Sequence, residues 1–412
     1  MDFRKSLLLA VSASLVSLGG PSSSAYAAGY AIFTQGASAL GQGNAVTAHS
    51  DSPSSIFYNP ALIGKLPGTQ LEVGSTLIFA SRSFESALPG GSSTSSDSVF
   101  FPSTVYLTHK FDDRWSAGFG IFSPFGLGTE WNDDWEGRFL ATKAKLQSFD
   151  LNPVVSFRIT PALAVAVGLD VVYVDATLER RLPPAVFATP FDVTQTFKGN
   201  GTGVGYNVAV AYDLNRDISL GASYRSQVAV EIKGDSKTSL GVTPLDSSGR
   251  TNIKLPQQLT AGVAYRVNEP LTVEAGIRWE GWSAFKRLQL SLDNNFPVPA
   301  TQRNWRDSFG ANLGGKYRWN DSVALLAGYV YGNSAVPNST FDPSIPDAET
   351  HVFCLGTELS HQRLKLALSY AYQLYVDRTK NNSVDPLLPP HYADGNYQSD
   401  AHLLAIGVGY IF

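Results

Sequence analysis

Cysteine is nearly missing from this chain of 412 residues, with Cys354 alone. No internal disulfide can form, so packing and hydrogen bonding must hold the fold. Methionine is equally scarce, present only at Met1. Long apolar runs are missing too. The longest candidate after the N-terminal stretch, Ala162 to Val174, is interrupted by Asp170 and falls short of the roughly 18 residues a spanning helix needs. A helical membrane protein is thereby excluded. There is also no excess of positive charge: Lys and Arg total 31 against 35 Asp and Glu, a formal net charge of −4. Nucleic acid requires basic patches to neutralise phosphate, so it is excluded as a partner.

The N-terminus carries an export pattern. Arg4 and Lys5 form a basic start, Leu7 to Leu18 an apolar stretch, and Ala25-Tyr26-Ala27 a small-x-small cleavage site. Residues 1–27 are therefore expected to be removed, leaving Ala28-Gly29-Tyr30 as the new start. That processing makes the net charge one unit more negative, since Arg4, Lys5 and Asp2 leave together.

From about residue 69 the chain divides into alternating segments. Leu404, Ile406, Val408, Tyr410 and Phe412 share one face, with Ala405, Gly407 and Gly409 between them. Val165, Val167, Leu169, Val171 and Tyr173 share another, opposite Ala164, Ala166, Gly168 and Asp170. Greasy outer faces and small or polar inner faces suit a wall with lipid outside and a packed or wet interior. Gly199, Gly201, Gly203 and Gly205 recur on one inner face. No helix pattern follows them, so a nucleotide loop is disfavoured and close approach of another backbone is the better reading. Short polar turns such as Phe111-Asp112-Asp113-Arg114 and Leu214-Asn215-Arg216-Asp217 alternate with longer insertions: 88–98, 183–190, 236–250, 294–303, 334–347 and 380–396. Tight turns on one side and long loops on the other predict an all-β transmembrane antiparallel barrel of about 14 strands over residues 67–412. Trp115, Trp131, Trp135, Trp279, Trp282 and Trp319 are either interfacial girdle residues or core aromatics.

Residues 28–66 do not alternate. They hold small-residue stretches and then Asp51-Ser52-Pro53 followed by Phe57-Tyr58-Asn59-Pro60-Ala61-Leu62, a helix start soon interrupted by proline. So short a piece cannot own a core. A barrel of this width leaks unless filled, so the segment is expected to be a lumen plug.

With these motifs in place, the chain resembles the FadL/TodX family of outer-membrane transporters for long-chain fatty acids and hydrocarbons. The likeness rests on Ala28-Gly29-Tyr30, Tyr58-Asn59-Pro60-Ala61-Leu62, Phe125-Gly126-Leu127-Gly128-Thr129-Glu130-Trp131, Leu255-Pro256, Trp282-Ser283-Ala284-Phe285, and Val336-Pro337 with Ile345-Pro346-Asp347. The motifs lie in order over essentially the whole mature chain. The resemblance implies a bacterial outer-membrane, multi-pass barrel acting as a monomer, with a hatch at Phe57, Asn59, Pro60 and Ala61. It also implies passive uptake of a hydrophobic substrate, foremost a long-chain fatty acid, with aromatic hydrocarbons as the alternative. Lateral exit would pass a kink at Pro124, Gly126 and Gly128. Outer-membrane lipid and lipopolysaccharide are the implied surroundings, and no cofactor, metal or catalysis is implied.

The residues support parts of this directly. Pro124 cannot donate to a ladder, and Gly126 and Gly128 tolerate unusual backbone, so strand pairing is expected to break there, although an ordinary strand end is the alternative. The inner face of the kink is expected against Asn59-Pro60-Ala61. Arg180 has the inward parity of Asp170 and falls where the family's head-group arginine lies by motif match. Arg287 has the opposite parity to Leu288, Leu290 and Leu292 and is expected to point inward. The family pattern places a lysine where this chain has Gln289, a departure that keeps a neutral substrate open. The bland alternative for both arginines is a salt-bridged lumen wall. Leu182 and Phe187 either form a capture groove or pack loops together. The rivals to transport of this type are a general aqueous porin, a hydrolase and an adhesive barrel. No motif sets Ser beside His, and His351 and His361 stand ten apart without an acidic or cysteine cluster, so neither catalysis nor a metal site is expected.

Overall fold

The computed structural model describes residues 29–384, 388–389 and 391–412. The expected leader at 1–27 and Leu387, an apolar residue of the long insertion 380–396, lie outside the described residues.

Fourteen antiparallel wall strands form a closed barrel. In chain order they are β1 (Thr69–Ser86), β2 (Ser93–Phe100 and Ser103–Lys110), β3 (Trp115–Phe122 and Gly126–Glu130), β4 (Lys143–Thr160) and β5 (Leu163–Leu182). There follow β6 (Val193–Asp213), β7 (Ile218–Arg225 and Val228–Thr238), β8 (Ser247–Leu255 and Gln258–Arg266), β9 (Leu271–Glu280) and β10 (Ser308–Arg318). The last are β11 (Val323–Gly332), β12 (Thr350–His361), β13 (Leu364–Tyr375) and β14 (Gly395–Ile411). Closure comes from β1 pairing with β14, in register from Gln70↔Ile411 to Ser86↔Gly395. No edge remains there to seek a partner.

One end of the barrel is made by tight turns with a shared device. Asp112, Asn215 and Asn320 each accept two backbone N–H groups, of residues two and three positions on, at 2.7–2.9 Å. These Asx turns fix the hairpin without any core. Outward residues such as Val73, Leu169, Val263, Leu355 and Ile406 are exposed to the lipid side, as alternation requires. Trp115 and Trp319 stand exposed near the tight-turn end. Trp131, Trp135 and Trp282 are buried, which corrects the girdle reading for those three: they follow breaks in the wall and turn into the lumen.

Residues 29–66 lie inside the cylinder and span its bore. Helix α1 (Ala37–Gly41) packs on β11 to β14, and a 3₁₀ turn at Pro60–Lys65 packs on β3 to β6. Helix α2 (Ser55–Tyr58) lies between them. Glycine opens the wall where this backbone passes. A Cβ on Gly221 would stand 2.8 Å from the Ala48 Cα, and Gly43, at φ +59, leaves only 2.8 Å between its Cβ position and the Tyr329 nitrogen. The glycine row at 199–205 also marks close approach, as expected, yet what approaches is the upper half of β7. Cβ atoms on Gly199 and Gly203 would lie 2.6 and 2.5 Å from the carbonyl oxygens of Lys233 and Ala229. There β7 tilts inward after the break at Ser226-Gln227 and buries Val228, Val230 and Ile232 in the lumen.

Candidate functional site: a kinked wall strand facing a plugged lumen

The wall is interrupted at Ser123-Pro124-Phe125. Below the break β3 pairs on both sides, with β2 through Val105↔Ile121 to Lys110↔Ser116 and with β4 through Trp115↔Phe157 to Phe122↔Asp150. Above it, Gly126–Glu130 pairs with β4. Among the described residues no ladder joins that upper piece to Ser93–Phe100 of β2. Side chains make the contacts instead: Arg82 Nη1 of β1 donates to the Gly128 carbonyl at 2.9 Å, and between the two pieces Asn132 Nδ2 donates to Thr94 Oγ1 at 3.1 Å and Ser96 Oγ to the Glu130 carbonyl. The Phe100 ring lies over Gly128 so closely that any Cβ there would overlap it.

Backbone groups freed by the kink are taken up by the N-terminal segment. Ile32 N donates to the Pro124 carbonyl and Gly126 N to the Tyr30 carbonyl, each at 2.9 Å, while the Gln35 amide clasps both backbone groups of Ser123. Buried backbone polar groups are almost always paired, so the break is a designed feature. The expectation that the kink faces Asn59-Pro60-Ala61 is corrected: it faces residues 30–35. Asn59 caps the following turn through Ala61 N at 3.1 Å, and its Nδ2 reaches the Thr47 and Val210 carbonyls on the far side. Among Phe57, Asn59, Pro60 and Ala61 it is Phe57 whose ring meets the kinked strand, edge-on to Phe122 at 5.3 Å.

Behind the gap lies a cavity of about 760 Å³ lined by Tyr30, Phe33, Ile78, Phe125, Tyr375 and Leu403. It extends past the gap to Phe101 and Phe149, which are 71% and 46% exposed on the lipid face. Its lining thus includes both lumen-facing and lipid-facing residues. Above it an aromatic cluster closes the bore around Tyr30, whose ring meets Trp282 at 4.6 Å, Trp305 at 5.8 Å and Phe125 at 6.2 Å.

Below, the N-terminal segment is fastened by carboxylates of the wall. Glu274 of β9 accepts Thr47, Ala48 and His49 N–H groups at 2.6–3.1 Å. Glu358 of β12 accepts Ser38 Oγ, and Glu72 of β1 accepts Ser52 Oγ. Asp51 ion-pairs with Lys316 and Lys365 at 2.7 and 3.1 Å. Sequence reasoning names Asp51 and Ser52 only as a helix start and singles out none of the wall carboxylates; Glu274 shares its inward register with Arg278 and Glu280.

The model of the outer membrane protein transport protein family (OMPP1/FadL/TodX) matches residues 20–412. The chain belongs to this family. It is a protein of the bacterial outer membrane. The long-chain fatty acid transport protein of Escherichia coli is 24% identical over 398 residues, covering 86% of this chain and 88% of that one. Outer membrane protein P1 of Haemophilus influenzae is 24% identical over 464 residues, covering 100% and 99%. Among solved structures, a Pseudomonas aeruginosa FadL homologue superposes with TM-score 0.84 at 18% identity, over 93% of this chain and 100% of that one. The P. putida toluene transporter TodX gives 0.73 at 18%, over 92% and 98%.

For this FadL/TodX-family barrel the loop end holds a second, smaller cavity of about 130 Å³. It is lined by Leu178, Arg180, Phe197, Leu288, Leu290 and Arg303. Arg180 Nε donates to Gln195 Oε1 at 3.1 Å, and Arg303 pairs with Asp342 at 3.0 Å. Leu182 and Phe187 do not line this cavity but belong to a cluster with Val193, Leu245 and Leu292 that reaches it through Leu290 and Val298. Arg287 is exposed, while Leu288 and Leu290 turn in. The inward expectation for Arg287 is thereby corrected. The wall strand ends at Glu280 and a 3₁₀ turn at Trp282–Ala284 follows, so the next residues fold over the mouth and point their apolar face inward. Gln289 Nε2 donates to the Leu290 and Val298 carbonyls, closing that loop on itself.

Proposed function

We propose that this protein is a passive uptake route for hydrophobic compounds, with long-chain fatty acids as the preferred class. Substrate is captured at the loop end, held in the apolar lumen and released sideways through the gap between β2 and β3 into the membrane. The observation that carries this reading is the cavity reaching from Tyr30 past the kink to lipid-facing Phe101 and Phe149. An apolar tail gains roughly 0.8 kcal/mol for each methylene moved out of water. Arg180, in the upper cavity among leucines, is the head-group cation. A charge-assisted hydrogen bond to it contributes about 1.5–3 kcal/mol. Phe100, lying over Gly128, gates the exit. Residues 1–27 are removed on export, 28–66 act as the hatch, and the barrel acts as a monomer amid lipid and lipopolysaccharide. A gradient maintained by metabolism drives the process, so no cofactor or chemical step is required.

Uptake of aromatic hydrocarbons is the second reading, favoured by the rings of Tyr30, Phe33, Phe100 and Phe125 around the larger cavity. Binding of a long-chain fatty acid and of an uncharged aromatic of similar size, measured on wild type and Arg180→Ala, separates them. Selective loss of the acid supports the preferred reading. Equal binding of both ligands by both proteins would sink it. A large steady current across a planar bilayer would instead favour an aqueous porin.

A further inference from the structure

On the inner wall, away from both cavities, four polar side chains without any exposed surface gather around one arginine. They are Asp150 and Asn152 of β4, Asp170 of β5 and Asn207 of β6, and the arginine is Arg225 of β7. Asp170 Oδ1 accepts Asn152 Nδ2 and Asn207 Nδ2, each at 3.0 Å, and also Arg225 Nη1. The same Nη1 reaches Asp150 Oδ2 at 3.2 Å. Two carboxylates therefore share a single guanidinium.

One oxygen of each aspartate and the amide oxygen of each asparagine lack a hydrogen-bond donor: Asp150 Oδ1, Asp170 Oδ2, Asn152 Oδ1 and Asn207 Oδ1. Buried polar atoms without partners are few in folded proteins, and four acceptors in one cluster call for an explanation. Charge points the same way. With both carboxylates ionised, one guanidinium would leave one negative charge uncompensated in a fully enclosed site, which is costly unless a proton or a bound cation neutralises it. Four oxygens and no nitrogen or sulfur donor suit a hard cation. A divalent ion would overshoot neutrality, and calcium takes six to eight oxygens. Among the described residues there is no group of three or more His, Cys, Asp or Glu side chains suited to a metal, which argues against a transition metal.

We propose that Asp150, Asn152, Asp170 and Asn207 bind a monovalent cation, sodium, inside the barrel wall. Bound there, the ion ties β4, β5 and β6 together and fixes Arg225. The guanidinium of Arg225 lies 5.5 Å from the Phe57 ring of the N-terminal segment and 5.2 Å from the Phe122 ring. The site thus steadies the contact between wall and hatch.

The test uses the full purified protein in detergent. Its thermal unfolding is followed in sodium chloride and in choline chloride at matched ionic strength. A saturable rise in midpoint with sodium alone is expected, and Asp150→Asn, which removes the surplus charge, should abolish it. Crystals of the wild type soaked in a thallium(I) salt should show an anomalous peak among these oxygens, a readout that survives if the variant does not fold. Equal midpoints in the two salts, no thallium peak at the cluster, or stabilisation by calcium in place of sodium would each overturn the assignment.

Discussion

Below the kink, the wall meets the N-terminal segment through carboxylates, with Glu274 alone accepting three consecutive backbone N–H groups. At the kink residues 30–35 are hydrogen-bonded to Ser123, Pro124 and Gly126, and above it the contact is aromatic, with Tyr30 packed among Trp282, Trp305, Phe285 and Phe125. Hydrogen bonds to a carboxylate are directional and fix a backbone in one place. Ring contacts are non-directional by comparison and let an apolar guest replace one partner with another at little cost. The lower half therefore holds the stopper still, and the upper half is where substrate can move. The difference is in keeping with the sideways exit proposed above.

The largest effect is expected from breaking the lower fastening. Glu274→Ala removes an acceptor from three N–H groups, and each charged hydrogen bond is worth about 1.5–3 kcal/mol. A loss of roughly 3 kcal/mol or more in the anchoring of residues 47–49 should let the segment swing. Steady ion currents in planar bilayers and faster proteolysis within 29–66 are the readouts. Glu274→Gln, which keeps one acceptor oxygen, should fall between. A silent bilayer with Glu274→Ala would show that the aromatic half alone seals the bore.

Part of this contrast is legible in the amino-acid sequence. Alternation is a local property, so the wall strands, the tight Asx turns and the break at Ser123 to Gly128 announce themselves there. The cluster around Tyr30 does not. Trp131, Trp135 and Trp282 carry no mark that separates a girdle from a core, because both want large amphipathic rings. Parity counting misplaces Arg287 because it assumes an unbroken strand, and the turn at Trp282–Ala284 resets the register. Glu72, Glu274 and Glu358 sit on inward positions, yet which inward acid meets the plug depends on a bore-crossing path that no local rule specifies. The tilt of β7 over the glycine row belongs to the same class of long-range fact.

A second, smaller effect concerns the gap. Gly128→Leu should push Phe100 out of its place and close the passage between β2 and β3. Fatty-acid uptake by cells should fall about tenfold or more, the equivalent of about 1.4 kcal/mol on a barrier, while binding at the loop end stays intact. Phe100→Ala should act in the opposite direction and raise uptake. If uptake is unchanged in both variants, the gap is not the exit and the upper half has another outlet.

The subtlest difference lies in the loop that caps the upper half. Asp347 is buried, with Ser334 Oγ at 2.7 Å, Ala335 N at 3.0 Å and Arg378 anchored to its own backbone carbonyl at 2.7 Å. Burial pushes its carboxyl up to about 7, against the pull of the Ser334 hydroxyl and the Arg378 charge. An unfolded aspartate titrates near ~3.9. Between those two values the folded loop holds more protons than the unfolded one, so stability falls as pH rises and levels off above the folded value. The cap should therefore loosen from acid towards neutral pH, seen as faster protease clipping within 334–347. Asp347→Asn resembles the protonated acid and should keep clipping flat over the same range. Parallel pH profiles for the two proteins would assign the loosening to another group and leave the cap as rigid as the fastening beneath it.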